Sequence, residues 1–73
     1  MARIEVSSEI TGTVWKVLVK AGDKVVEDDS LLIIESMKME IPLTAPEDAV
    51  VIEIRVGEGD NVAEGDVAIV LEV

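Results

Sequence analysis

Hydrophobic residues in this chain recur with two spacings, and neither is helical. Trp15, Val17 and Val19 alternate with Lys16, Leu18 and Lys20, and Ile52, Ile54 and Val56 alternate with Glu53, Arg55 and Gly57. A period of two with one apolar face predicts a half-buried strand. Leu31 to Ile34 and Val67 to Leu71 are continuous apolar runs, as expected for strands in a sandwich interior. Ala21-Gly22-Asp23-Lys24 and Glu58-Gly59-Asp60-Asn61 read as turns, because glycine supplies the positive φ that turns often need. Pro42 and Pro46 suit strand edges and turns and would break a helix. No segment carries a 3.6-residue apolar stripe.

The pattern also repeats. Shifted by 37 positions, the chain matches itself at Ile4/Ile41, Val14/Val51, Val19/Val56, Gly22/Gly59, Asp23/Asp60, Val25/Val62, Glu27/Glu64, Asp29/Asp66 and Glu35/Glu72. The shared core of the repeat is Gly-Asp-x-Val-x-Glu-x-Asp, at Gly22 to Asp29 and again at Gly59 to Asp66. A period of half the chain means a two-fold duplication, not a solenoid. Together these patterns predict an all-β fold, with two similar four-stranded halves packed as a flattened barrel or sandwich.

The stretch from Ser36 to Glu40 joins the halves and has no covalent counterpart. Adding 37 to Lys38 runs past Val73, and subtracting 37 gives Met1. In a two-fold arrangement the site related to this hairpin is where the chain ends meet. Lys38 is therefore expected at one pole of the domain and both termini at the other.

Composition narrows what such a domain can do. Seventy-three residues make one small domain, read as spanning 1–73, near the lower limit for unaided folding. Cysteine and histidine are absent, which removes disulfides, thiolate metal sites and the commonest general base. No calcium-loop spacing occurs among the carboxylates. With 13 Val, 8 Ile and Trp15 as the only aromatic residue, the core must be aliphatic and strand-forming. The net charge of −10 argues against nucleic acid and against anionic membrane surfaces. The longest apolar run, five residues from Val67 to Leu71, is too short to span a bilayer. The N-terminus does not read as a secretory signal. A cytoplasmic, monomeric domain is the expectation, and with so few acid–base groups, an enzyme is not.

One constellation stands apart: Glu35-Ser36-Met37-Lys38-Met39-Glu40. Lys16, Lys20 and Lys24 read as ordinary solvated charge. Lys38 is flanked by two of the chain's three methionines, although methionine belongs in cores and turns favour Gly, Asn, Asp or Ser. One reading makes Met37 and Met39 core residues of a strand with Lys38 pointing out. The other makes Lys38 a modification site presented for a second protein to grip.

The hexapeptide resembles the attachment motif of biotinyl domains in the biotinyl/lipoyl attachment family, in which the lysine between two methionines receives biotin. The resemblance extends over the whole chain. Thr11-Gly12-Thr13-Val14 resembles the family's opening strand, and the repeated Gly-Asp turns and Thr44-Ala45-Pro46 also fit. In length the chain is similar to a free-standing biotin/lipoyl attachment protein. It departs from the family where Glu9 replaces a frequent Pro, Thr11 a small residue or Pro, and Ala49 a frequent Gly. If position 49 needs positive φ, alanine there costs roughly 1 kcal/mol. The protruding insertion of some bacterial acetyl-CoA carboxylase carriers has no room here.

The resemblance implies a barrel-sandwich hybrid fold and a biotin carboxyl carrier that is not itself an enzyme. A biotin protein ligase would join biotin to Lys38, with Met37 and Met39 as its recognition surface and Glu35, Ser36 and Glu40 as motif flanks. Lysine in water is almost wholly protonated at pH 7, so activation falls mainly to the ligase. A biotin carboxylase would then load a carboxyl group, and a carboxyltransferase would unload it. Tethering raises the effective concentration of the group at each site. The alternative is a lipoyl carrier, or a dual biotin and lipoate acceptor. Lipoyl domains share this fold but usually place an acidic residue before the lysine and a small one after it, so Met37 and Met39 favour biotin. An unmodified interaction module with an exposed methionine patch is the third reading.

Overall fold

The computed structural model describes residues 2–73. Its strands are β1 (Arg3–Ser7), β2 (Gly12–Val17), β3 (Lys24–Val25), β4 (Ser30–Ser36), β5 (Met39–Thr44), β6 (Ala49–Ile54), β7 (Asn61–Val62) and β8 (Val67–Glu72). They form two four-stranded antiparallel sheets, ordered β1-β8-β6-β3 and β5-β4-β2-β7. The described residues contain no helix. The all-β expectation is met.

The 37-residue shift carries β1 to β5, β2 to β6, β3 to β7 and β4 to β8, and so turns one sheet into the other. The sheets are not the two halves of the sequence, however. Each takes two strands from each half, so the halves interlock. Between the sheets lies one aliphatic core. Leu31, Leu32 and Ile34 of β4 and their repeat partners Ala68, Ile69 and Leu71 of β8 are essentially without solvent contact. Pro42 lies on β5, an edge strand, where its missing N–H leaves no gap in the ladder.

Four β-bulges obey the same symmetry. Pairing slips between Val14 and Lys16 against β4, and likewise between Val51 and Glu53 against β8, leaving Trp15 and Ile52 as the extra residues. Leu31 and Ala68 are extra residues in the other two bulges. A bulge breaks the period-two alternation. It lets neighbouring Leu31 and Leu32 both bury fully. It also overturns the apolar face expected for the stretch from Trp15 to Lys20. Val17 and Val19 pack on the core, but Val14 is the buried residue of β2 and Trp15 is 48% exposed. The Lys16 ammonium lies 5.9 Å from the Trp15 ring centroid.

The repeated aspartates close four equivalent turns. The carboxylate of Asp23 accepts the Lys20 N–H at 3.0 Å, and that of Asp60 accepts the Gly57 N–H at 2.8 Å. Asp29 and Asp66 do the same for Val26 and Ala63, each at 2.9 Å. Each aspartate also returns its own N–H to the carbonyl of that residue. Gly22, Gly59 and Gly65 supply positive φ in these turns, at 97°, 92° and 93°. At the position equivalent to Gly65 stands Asp28, with φ 74°, a residue that tolerates the left-handed region better than most. Ala49 is not among the positive-φ residues and pairs with Val25 within β6, so the strain considered for it does not arise.

The symmetry also places the chain ends. Ser36 pairs with Met39 at the tip of the β4–β5 hairpin. Their repeat positions are Val73 and Ala2, which exchange N–H···O bonds at 3.3 and 2.9 Å. Met1, the sequence counterpart of Lys38, lies outside the described residues. The hairpin tip and the paired chain ends thus occupy opposite poles of a body measuring 36 × 17 × 17 Å.

If the four turns are equivalent, Asp23→Ala and Asp60→Ala should each lower stability by about 1 kcal/mol, through loss of one turn hydrogen bond. Urea unfolding should show similar midpoint shifts for both variants with an unchanged slope.

Candidate functional site

The tip between β4 and β5 is a two-residue loop, Met37-Lys38, closed by the Ser36–Met39 pair. Both loop residues have positive φ, 52° and 65°. This is the pattern of a type I′ turn, whose twist matches that of the flanking strands. Such turns strongly prefer Asn-Gly or Asp-Gly, because the left-handed region costs an ordinary L-residue about 1–2 kcal/mol. Methionine and lysine have neither glycine's freedom nor the short polar side chain of asparagine.

The side chains add to that cost. Met37 is 93% exposed and Met39 62%, so the reading that places them in the core is excluded. Lys38 is exposed as well. One step down the stem, Glu35 and Glu40 stand directly opposite each other, both exposed. Like charges so placed are destabilising, by about 0.2–1 kcal/mol. Among the described residues the ion pairs are those of Arg55 with Glu5 and Glu53. Neither involves the hairpin.

Beneath this unfavourable tip the stem is firmly held. Ile34 is buried in the core. The Ser36 hydroxyl donates to the Thr11 carbonyl at 3.0 Å. Thr11 Oγ1 in turn accepts the Glu64 N–H at 3.2 Å, a use for the hydroxyl where the family often has a small residue or Pro. Gly12 lies against the stem so closely that an added Cβ would sit 2.5 Å from the Glu35 carbonyl oxygen and 2.8 Å from Ile34 Cγ2. The hexapeptide residues singled out in the sequence, Glu35 to Glu40, therefore form one hairpin with its lysine at the apex. Gly12 and Thr11 support it. A signal for Gly12 was present in the sequence: its repeat partner is Ala49, so the close approach is confined to the half that precedes the lysine.

What the arrangement offers is a single primary amine at the apex of an anchored hairpin, flanked by two apolar, polarizable side chains. Such a tip can accept an acyl group and be gripped by a second protein. Together with the dyad-related sheets, it defines a biotin/lipoyl attachment domain, a carrier and not a catalytic centre.

The family described as "Biotin-requiring enzyme" matches residues 3–71, and the chain belongs to this biotin/lipoyl family. It is 48% identical over 66 residues to the biotin/lipoyl attachment protein of Bacillus subtilis, covering 90% of each chain. It is 45% identical over 62 residues to the dihydrolipoyllysine-residue acetyltransferase component of the pyruvate dehydrogenase complex of Pseudomonas aeruginosa, covering 85% of this chain and 11% of that protein. The crystal structure of the Kluyveromyces lactis urea carboxylase superimposes with a TM-score of 0.91 at 35% identity, covering 97% of this chain and 6% of that one. The chain thus spans nearly all of one relative and a small part of the larger ones.

Two stability changes of opposite sign should follow from the hairpin geometry. M37N/K38G should raise stability by about 1 kcal/mol by relieving the left-handed strain. Gly12→Ala should lower it by about 1–3 kcal/mol, since the obstacle is backbone that must shift. Thermal and urea unfolding of the two variants check both.

Proposed function

We propose that Lys38 carries biotin in amide linkage and that the domain is the carboxyl carrier of a biotin-dependent carboxylase system. The observation that carries this reading is the hairpin tip itself. It keeps an exposed lysine and two exposed methionines where glycine and asparagine would be more stable. Unfavourable local choices held by a rigid surround are the mark of a functional site.

The residues present fit the group. Lys38 is the one lysine of the four at the apex of the hairpin, and its Nζ can form an amide with a ligand's carboxyl. Bound there, biotin would supply a ring nitrogen that takes up and gives off a carboxyl group. The Lys38 amine would displace AMP from the acyl group that the ligase has activated with ATP, lose a proton to the surroundings and then serve as a tether. Met37 and Met39 give the biotin protein ligase an apolar, adaptable surface to hold. The stem, held by Ile34, Ser36 and Gly12, keeps the backbone of the tip in one place relative to that surface. A biotin carboxylase and a carboxyltransferase would then visit the same pole, and the tether would keep the effective concentration at each high. A cytoplasmic location is part of the same proposal.

A second reading, lipoate on the same lysine, draws support from the similarity to the acetyltransferase component of Pseudomonas aeruginosa. Met37 and Met39 weigh against it, since lipoyl domains usually carry an acidic residue before the lysine and a small one after it.

Incubation of the unmodified protein with ATP and either biotin plus biotin protein ligase or lipoate plus lipoate ligase separates the two readings. Intact mass should show one biotinyl adduct, absent from Lys38→Arg, whose folded spectrum should be unchanged. A lipoyl adduct alone, or persistent streptavidin binding by Lys38→Arg, would overturn the proposal.

A further inference from the structure

We infer that Met37 and Met39 form a reversible redox site that controls access to Lys38. Oxidation of their thioethers to sulfoxides would prevent the attachment ligase from gripping the tip. This rests on the proposed attachment at Lys38.

Three observations lead there. The first is exposure. A thioether in a core is shielded from oxidants, whereas Met37 is 93% exposed and Met39 62%. Both lie within one residue of the amine to be modified. The second is the lack of competition. The chain has no cysteine, so no thiolate intercepts a peroxide first. The third is structural independence. Neither methionine belongs to the core cluster. The hydrogen-bonded partner of Met39 is Ser36, through the main chain. Adding an oxygen to either sulfur therefore leaves strand pairing and packing intact. Elsewhere methionine oxidation usually damages a core or buried interface; here it changes only what a partner meets.

The chemistry balances with a peroxide as oxidant. A sulfur lone pair attacks one peroxide oxygen, the O–O bond breaks, and an S–O bond forms. The thioether is oxidised by two electrons and hydrogen peroxide is reduced to water. The product is a strongly polar group in place of an apolar one. A pocket shaped for methionine would then have to desolvate a sulfoxide without a partner for it. Methionine sulfoxide reductases reverse the change with thiol reductant, so the site could be switched back without new synthesis.

Labelling kinetics test this on the unmodified protein, treated with hydrogen peroxide until intact mass shows oxygen added and peptide mass spectrometry places it on Met37 and Met39. Trp15 fluorescence, from the sole aromatic residue, should stay unchanged and show that the indole is intact and the fold retained. The initial rate of biotin transfer by the ligase should fall about tenfold or more relative to untreated protein. The two methionine sulfoxide reductases, one for each sulfoxide epimer, should together restore it with dithiothreitol. In M37L/M39L, measured against its own untreated rate, peroxide should have no effect. An unchanged rate in the oxidised protein, or equal loss on peroxide treatment of M37L/M39L, would overturn the inference. Failure of the untreated protein to accept biotin at Lys38 would instead overturn the attachment reading.

Discussion

Neither half of this chain can bury its own apolar residues. β4 carries Leu31, Leu32 and Ile34, but its sheet is completed by β5 and β7 from the other half, and β8 depends in the same way on β1 and β3. The core exists only when both halves interlock, and every other feature follows from that constraint. The bulges recur in symmetric pairs because both sheets must curve over the same core. The four aspartate-closed turns recur because both halves must reverse direction at the same places. In a chain of this size, with no cysteine to form a disulfide, one shared aliphatic core is the main source of stability.

The same symmetry isolates the functional element. One link between the halves must be covalent, and its dyad-related counterpart is the meeting of the chain ends. The covalent link is therefore free of the repeat's demands, and the unfavourable residues gather there. Two ordinary L-residues sit in left-handed conformation, two methionines face solvent and two glutamates oppose each other. Relaxed choices at these positions would stabilise the domain by a few tenths to ~2 kcal/mol each. The core and the Thr11–Gly12 buttress hold the tip in place despite this. A rigid pole that carries an exposed amine suits a carrier, which must show the same geometry to each partner in turn.

Much of this was legible in the sequence. The 37-residue repeat predicted the duplicated all-β fold and the polar position of Lys38, because conserved turn chemistry and apolar runs survive in both halves. The bulges were not legible. Period-two counting placed Trp15 inside, but one extra residue turns it outward and brings in Val14. Alternation carries no mark of where an extra residue is inserted. The tip conformation was hidden for the opposite reason: Met-Lys is an unfavourable sequence for a left-handed turn, so propensity pointed away from it. The role of Gly12 depends on a close approach between strands distant in sequence, visible only as a break in the repeat at Ala49. Under the attachment proposed for Lys38, the identity of its group would be decided in the ligase pocket, and the residues of this chain that bear on it are Met37 and Met39.

The most direct measurement is peptide-level mass spectrometry of the protein isolated from the cell that makes it, with each of its four lysines mapped. Attachment at the strained apex requires a biotinyl amide on Lys38, with Lys16, Lys20 and Lys24 unmodified. Biotin on any of those three lysines, or a different acyl group on Lys38, would contradict it.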